Sequence, residues 1–236
     1  MTTTTTWPTT ADGKYLVLRT VDADWRSRDG FRWRKTVETV ASDWDPNPDR
    51  DCGGGLHGLM WGCGEAGLLS SAPDAVWLVV AVDPTDVVNP DQPHKVRFRA
   101  GQVRFHGTRD EAVDYLMAHG AVGLPVAYGR HAVKDYGTAT AGNDGTAIAG
   151  NYGTAIAGNY GTATAGYHGT ATAGNYGTAT AGYGGTATAG DYGTLIITWH
   201  DGARSRRAVG YVGEGGIKPD TPYRVNGQGE FYEVNK

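Results

Sequence analysis

The 236-residue sequence contains only two cysteines, Cys52 and Cys63. Two cysteines do not make the disulfide framework of a small secreted domain. No second pair of Cys or His residues stands at the spacing of a structural zinc site. We therefore expect neither a bound metal nor another cofactor.

A cluster of aspartates does not change this expectation. It lies in the loop-like stretch ASDWDPNPDRDCGGG and consists of Asp43, Asp45, Asp49 and Asp51. Their spacing does not match the calcium loop of an EF-hand, and two prolines interrupt the stretch. A solvated loop is the better interpretation.

The sequence also lacks an excess of positive charge and long apolar runs. Lys and Arg number 21 against 25 Asp and Glu, a net charge of −4. Nucleic acids and anionic membranes are bound by basic surfaces, so neither partner is expected. No apolar run reaches the roughly 18 residues that cross a bilayer. The start, MTTTTTWPTT, has neither a basic nor an apolar signal region, so we expect a disordered leader over residues 1–12 and a cytoplasmic protein.

Residues 13–127 carry the pattern of a small α+β domain. Residues 14–20, 31–40 and 76–82 are rich in β-formers, and the basic-apolar alternation of residues 95–106 predicts a strand or hairpin with a break at Gly101. Thr108 and Glu111 have the spacing of a helix-capping box. The predicted helix that follows ends at Gly120.

The chain contains 37 glycines, and nine of them recur at every eighth position from Gly129 to Gly193. A representative octad, residues 169–176, reads Gly-Thr-Ala-Thr-Ala-Gly-Asn-Tyr. Thr-Ala-Thr-Ala alternates with the period of a β-strand, whereas Gly-Asn-Tyr-Gly is turn chemistry, because Gly and Asn tolerate positive φ. Residues 128–199 therefore predict a short parallel β-solenoid.

The turns of alternate octads differ. One set begins with Asn143, Asn159, Asn175 and Asp191, and the other begins with Asp135, Asn151, Tyr167 and Tyr183. The first set keeps Asn or Asp throughout, whereas the second changes to Tyr. This hidden period predicts a two-sided coil of about 16 residues. It also predicts that three tyrosines stack along one edge, as a candidate dimer contact: Tyr160, Tyr176 and Tyr192.

The end repeats indicate which face is inside. Val133, Leu195 and Ile197 stand at alanine positions, and Arg130 stands at a threonine position. Alanine is therefore expected inside and threonine outside, as a face for ice or a partner: Thr138, Thr140, Thr146, Thr154, Thr162, Thr164, Thr170, Thr172, Thr178, Thr180, Thr186 and Thr188. We expect the N-terminal domain to cover one end of the solenoid and residues 200–236 to form a C-terminal β cap.

The octads resemble those of bacterial ice nucleation proteins, whose β-solenoid repeats also contain Ala-Gly-Tyr-Gly and a Thr-x-Thr strand. The matching pairs include Thr162/Thr164 and Thr178/Thr180. The resemblance implies that outward threonine rows order water into an ice-like array. Two features depart from it: isoleucines at Ile148, Ile156 and Ile196 interrupt the rows, and nine octads give only four or five coils.

The flanks resemble a module of uncharacterised bacteriophage and bacterial proteins. The resemblance rests on three segments before the repeat, residues 52–57 (CGGGLH), 80–88 (VAVDPTDVV) and 95–97 (KVR), and on the tail with residues 217–224 (IKPDTPYR). It implies a phage or prophage origin, hence the cytoplasm of a bacterial or phage-infected cell, and no known chemistry.

His57 follows the glycine-rich turn, near Cys52 and Cys63. One hypothesis makes Cys52 and His57 a ligand-binding turn or a nucleophile–base pair. The alternative is a structural histidine packed with Trp61, and no catalytic residue is assigned. A deep pocket around His57 would favour the first hypothesis.

The leading hypothesis is a non-enzymatic, phage-type structural or interaction protein that uses the solenoid as a rigid spacer or docking surface for a protein partner or a second copy. One alternative is a protein that binds ice or ordered water through the threonine rows. The other is an enzyme or ligand-binding module centred on the His57 turn.

Overall fold

The computed structural model of the chain describes residues 7–27, 29–50, 53–90 and 95–234. The chain separates into two compact units, Met1–Val122 and Gly123–Lys236. Both are mainly β, and the second contains a parallel β-solenoid of about four coils. The predicted fold class is therefore confirmed.

Seven strands of the first unit form one antiparallel sheet, in the order β2-β7-β4-β1-β3-β6-β5. Their bounds are β1 Tyr15–Val21, β2 Thr39–Val40, β3 Leu56–Met60, β4 Val76–Val82, β5 Val87–Val88, β6 Val96–Phe98 and β7 Ala100–Gly107. Two short 3₁₀ helices span Ala66–Leu68 and Pro84–Asp86. Six of the seven residues of β4 are buried, as its continuous apolar sequence predicts.

The helix α1 spans Arg109–Leu116 and begins with the predicted capping box. The hydroxyl of Thr108 accepts a hydrogen bond from the Glu111 backbone, and the Glu111 carboxylate accepts one from the Thr108 N–H at 2.9 Å. A final π turn, Met117–Ala121, contains Gly120 with φ 125°. No helix in the described part of the chain is long and apolar enough to cross a membrane.

One strand prediction in this unit is wrong, and another is confirmed only in part. Over residues 31–40 only β2 is a strand, because the backbone N–H of Trp33 donates to Trp25 and that of Arg34 donates to the Thr39 hydroxyl. Only Trp33 and Thr39 are buried there, and Val37 between them is exposed, so the residue alternation does not correspond to one buried strand face. Residues 95–106 do contain strands, β6 and β7, but the break between them lies at Arg99 rather than at Gly101. They form no hairpin, because three strands separate β6 from β7 in the sheet.

The second unit contains two six-stranded sheets, ordered β17-β16-β14-β12-β10-β8 and β19-β18-β15-β13-β11-β9. The strands of the repeat are β8 Arg130–Val133, β9 Thr138–Thr140, β10 Thr146–Ala149, β11 Thr154–Ile156, β12 Thr162–Ala165, β13 Thr170–Ala173, β14 Thr178–Ala181, β15 Thr186–Ala189 and β16 Thr194–His200. The remaining strands are β17 Ser205–Tyr211, β18 Tyr223–Val225 and β19 Phe231–Glu233.

Successive octads alternate between the two sheets, so each strand pairs in parallel with the strand two octads away. Thr162 lies opposite Thr178, and Thr170 lies opposite Thr186. Both pairs are 16 residues apart, which confirms the predicted coil length. The alanines of both sheets share one core, in which each alanine from Ala139 to Ala189 is at most 4% exposed.

The turn residue with positive φ is not the one that the sequence predicted. It is the last residue of the octad, as in Tyr160 with φ 56° and Tyr176 with φ 57°, rather than Gly or Asn. The glycines serve close packing instead. A Cβ on Gly174 would lie 2.5 Å from the side-chain oxygen of Asn159 and 2.7 Å from its backbone nitrogen, in the preceding coil.

Asparagine is kept at one edge because its side chain joins the coils. The Asn159 side-chain oxygen accepts from the Asn175 N–H at 2.9 Å, and the Asn175 oxygen accepts from the Asp191 N–H at the same distance. At the other edge this ladder ends when the Tyr167 N–H donates to Asn151, since tyrosine offers no equivalent acceptor. The two kinds of turn in the sequence therefore correspond to the two edges.

The segment after the repeat continues both sheets. Strand β17 pairs antiparallel along β16, and β18 pairs with β15. Val212, Ile217 and Tyr223 are buried in the alanine core beside Leu195 and Ile197. Larger apolar side chains thus close the C-terminal end of a core made otherwise of alanine.

The close-packing role of the octad glycines is testable with Gly174→Ala. The added methyl group meets backbone of the preceding coil, so we expect destabilisation by about 1–3 kcal/mol. Gly227→Ala is the matched control, because nothing lies within 4 Å of its added Cβ and its φ is not positive. Hydrogen exchange of the solenoid amides measures the difference. Equal protection in the two variants would contradict this role.

Candidate functional site

The outward threonines form two opposed faces rather than one. On β9, β11, β13 and β15, two columns of four positions run across the coils, and seven of the eight positions are threonine. We call this set the seven-threonine face: Thr138, Thr154, Thr170 and Thr186 in one column, and Thr140, Thr172 and Thr188 in the other. Ile156 occupies the eighth position and is 38% exposed.

The opposite face, on β8, β10, β12, β14 and β16, is less regular. It carries four threonines in one column and two in the other: Thr146, Thr162, Thr178 and Thr194, with Thr164 and Thr180. Ile148 and Ile196 interrupt the second column, and Arg130 and Ala132 begin the two columns. Thr194 was missed in the sequence because its octad, GTLIITWH, departs from the consensus.

The geometry of each face follows from the β-sheet. Neighbouring coils are separated by about 4.8 Å, and two threonines of one strand by about 6.7 Å. Each column is held in register by backbone hydrogen bonds, such as that from Thr170 N–H to the Gly153 carbonyl at 2.9 Å. At the C-terminal end, Arg224 Nε donates to the Thr186 hydroxyl at 2.9 Å. The seven-threonine face is therefore a short, ordered grid of hydroxyl and methyl groups.

The edges of the solenoid present stacked aromatic rings. The ring centroids of Tyr160 and Tyr176 lie 5.0 Å apart, and those of Tyr176 and Tyr192 lie 5.1 Å apart. All three tyrosines are more than half exposed. The other edge stacks Tyr136 on Tyr152 and Tyr152 on His168. The stacking predicted for the first edge is present, and its use as a dimer contact stays a prediction.

In the first unit, His57 lines a cleft of about 540 Å³. Its pKa is lowered to about 4, first by burial and then by the positive charges of Lys95, Arg19 and Arg97. The imidazole is therefore neutral at pH 7. Its Nε2 atom is buried and has no hydrogen-bond partner, so the ring's bond with the Gly55 backbone belongs to Nδ1.

The described residues around His57 favour binding over catalysis. Cys52, the predicted partner of His57, lies outside them. The Cys63 thiol does not line the cleft, and burial raises its pKa to about 12, so it is a protonated and poor nucleophile at neutral pH. No group of three or more His, Cys, Asp or Glu in the described ranges is placed to hold a metal ion.

The glycine-rich turn before His57 has a packing explanation. A Cβ on Gly53 would overlap the guanidinium of Arg97, and one on Gly54 would overlap the carbonyl of Asp43. Arg97 is only 4% exposed and donates to the Asn47 carbonyl. The glycines of this turn therefore allow it to pack closely against the buried Arg97.

His57 also makes stability depend on pH. Its folded pKa of about 4 lies below the usual 6.5, so between these values the unfolded chain binds a proton that the folded chain does not. We therefore expect the free energy of unfolding to fall by roughly 2 kcal/mol as the pH drops from 6.5 to 4. Urea unfolding followed by tryptophan fluorescence measures it, since six of the seven tryptophans precede residue 123.

The variant His57→Gln should lose this part of the pH dependence. His119→Gln, at an exposed histidine, should keep it. Identical pH profiles for the wild type and His57→Gln would contradict the assignment.

Comparison with known proteins finds relatives for part of the chain. No protein-family model matches it, and no solved structure matches it. The chain is 31% identical over 108 residues to an ice nucleation protein of Pseudomonas syringae, covering 46% of this chain and 9% of that protein. It is 30% identical over 106 residues to one of Xanthomonas campestris pv. translucens (45% and 7%) and 28% identical over 110 residues to one of Pantoea ananas (47% and 10%).

The chain thus spans a tenth or less of the length of these relatives. The sequence similarity to ice nucleation proteins and the parallel β-solenoid of the structure both support the resemblance of the octad repeat. The repeat of this chain is therefore similar to the repeats of bacterial ice nucleation proteins.

Proposed function

We propose that the second unit binds ice, or water ordered as in ice, through the seven-threonine face. The observation that carries the proposal is the regularity of this face, in which seven of eight grid positions are threonine. The similarity of the repeat to ice nucleation proteins supports the same function.

The chemistry of the grid suits ordered water. Each threonine presents a methyl group and a hydroxyl group side by side, and its branched Cβ restricts the side-chain rotamer. Hydroxyls repeated about every 4.8 Å and 6.7 Å allow bridging waters to hydrogen-bond several side chains at once. The methyl groups between them limit competing arrangements of water. Ile156 replaces one hydroxyl, but it keeps an apolar, β-branched side chain in the grid.

Rigidity adds to this fit. Water ordered at a surface loses entropy, and a surface that is itself mobile loses more on binding. The coils are joined by backbone hydrogen bonds, and those that the threonine N–H groups donate are 2.8 to 2.9 Å long, such as Thr178 N–H to Gly161 and Thr186 N–H to Gly169. The face is therefore ordered before water arrives.

The size of the grid sets the scale of the effect. Four strands about 4.8 Å apart span roughly 15 Å. The chain covers only a tenth or less of the ice nucleation proteins that it matches. We therefore propose that it adsorbs to ice and slows growth, rather than starting freezing on its own.

A paired substitution on each face tests the proposal. Thr170→Lys with Thr172→Lys places two charges in the centre of the seven-threonine face, on β13. Thr162→Lys with Thr164→Lys is the matched control on β12, because in each pair the first threonine is exposed and the second half-buried. Thermal hysteresis and inhibition of ice recrystallisation are measured for the wild type and both variants.

The β13 variant should lose most of the activity, because two hydrated ammonium groups disrupt the water bound to the grid. The β12 variant should keep it. Circular dichroism establishes that both variants fold. No activity in the wild type, or equal loss in the two variants, would contradict the proposal for this face.

The phage-type docking function and the relation of the flanking segments to phage proteins stay predictions. A lysine pair on β12 that abolished binding to a protein partner, while ice activity was unchanged, would show that the opposite face has such a role.

A further inference from the structure

The cleft of the first unit arises where the sheet splits between β1 and β3. These strands pair only at Val17 with Met60 and at Leu18 with Leu59. The next two positions in register would place Arg19 opposite Gly58 and Thr20 opposite His57, but β1 continues with β4 alone and His57 pairs with Arg97 of β6. The two strands diverge, and the 540 Å³ cleft opens between them.

Arg19 stands at the split and is fixed in place. Its Nη1 donates to the His57 carbonyl at 3.2 Å, and its Nη2 donates to the Ser27 hydroxyl at 2.7 Å. The guanidinium lies over the Trp33 ring, 4.2 Å from its centroid. Two of its five N–H groups are therefore used by these hydrogen bonds, and its Nε is buried with no partner.

Arg19 has no counter-ion within the described residues, although a charge removed from water is normally paired. Burial lowers its pKa to about 10, so the guanidinium is still charged at neutral pH. Asp29 favours the charged form from a distance without forming an ion pair. A stacked, hydrogen-bonded arginine with spare N–H groups is the usual anchor for a carboxylate or a phosphate.

The electrostatic surroundings point to the same ligand class. The charges that shift the pKa of His57 most are positive, namely Lys95, Arg19 and Arg97. Four aspartates also line the cleft, and three of them accept backbone hydrogen bonds: Asp22 from the Arg26 N–H, Asp29 from the Phe31 N–H and Asp43 from the Gly55 N–H. The fourth, Asp74, is exposed. Positive charge therefore acts most strongly at the part of the wall that holds Arg19 and His57, although carboxylates line the cleft as well.

The remaining lining of the cleft is partly apolar. Phe31, Leu68 and Leu69 line it, and Leu68 is 41% exposed. A volume of about 540 Å³ falls within the range of pockets for small organic molecules.

We propose that this cleft binds a small organic anion, whose carboxylate or phosphate group pairs with Arg19 and whose apolar part lies against Phe31, Leu68 and Leu69. His57 lines the same cleft. The site is separate from the threonine face, so either proposal can fail without the other.

Titration with phenyl phosphate and with benzoate tests the proposal, and benzyl alcohol is the neutral comparison. Binding is followed by NMR at the indole N–H of Trp33, which donates to Ser27 beside Arg19 at 3.1 Å, and at the imidazole of His57. We expect at least one of the two anions to cause saturable shifts at both reporters, and benzyl alcohol to cause none. The shifts should weaken as the salt concentration rises.

Arg19→Gln should weaken binding of the anion by about tenfold or more, because it removes a charge-assisted contact. Arg104→Gln is the matched control, since this exposed arginine of the same unit pairs with Asp12 outside the cleft. Arg19→Lys keeps the charge without the planar fork, and we expect it to bind with intermediate affinity. Amide spectra establish that each variant is folded.

Three outcomes would overturn the proposal. One is the absence of saturable shifts with both anions in the wild type, a result that does not depend on any variant folding. Another is equal binding of benzyl alcohol. The third is a folded Arg19→Gln variant that binds as tightly as Arg104→Gln.

Discussion

The backbone hydrogen bond between residues one coil apart is the interaction on which the second unit depends. Alanine side chains bury little area, so the core alone contributes little per residue. The coils are held instead by N–H to carbonyl bonds, such as Thr178 to Gly161 at 2.9 Å, and by the side-chain ladder through Asn159 and Asn175. These bonds bring the coils close enough that only glycine fits at positions such as Gly174.

The same constraint shapes the surface. Because the register is constant, each outward residue lies beside the equivalent position of the next coil, as Thr170 does beside Thr186, and the ring of Tyr160 stacks on that of Tyr176. Tyr176 adopts a left-handed backbone conformation that is unfavourable for a bulky residue. Stacking at about 5 Å on both neighbouring rings, and the bond from its N–H to Asp191, offset that strain.

The repeated features of the solenoid were predictable from the sequence, whereas features that depend on contacts between distant residues were not. The period of the glycines, the difference between the turns, and Val133 and Leu195 at alanine positions were enough to predict the coil and its inner face. The capping box of α1 was equally local. The strand prediction for residues 31–40 was wrong because the alternation there does not correspond to a buried face: Trp33 and Thr39 are buried, but Val37 between them is exposed. Positive φ was assigned to Gly and Asn by propensity, whereas the close approach of coils requires glycine there and leaves the strained position to tyrosine.

The sequence did not predict the cleft, because the cleft forms where the pairing of β1 with β3 ends. Nothing local to Arg19 or His57 shows that β1 leaves β3 after Leu18, or that Arg19 lies on Trp33. The glycine turn did direct attention to His57, but for a reason that the structure replaces, since the turn accommodates Arg97.

In the two-sided coil, each strand pairs with the strand two octads away. NMR couplings transmitted across backbone hydrogen bonds measure this pairing directly. We predict a coupling between the amide nitrogen of Thr178 and the carbonyl carbon of Gly161, and another between Thr186 and Gly169. A coupling from the Thr178 amide to the carbonyl of Gly169, in the adjacent octad, would instead pair neighbouring octads within one sheet. That result would contradict the two-sided coil, the alanine core and the seven-threonine face together.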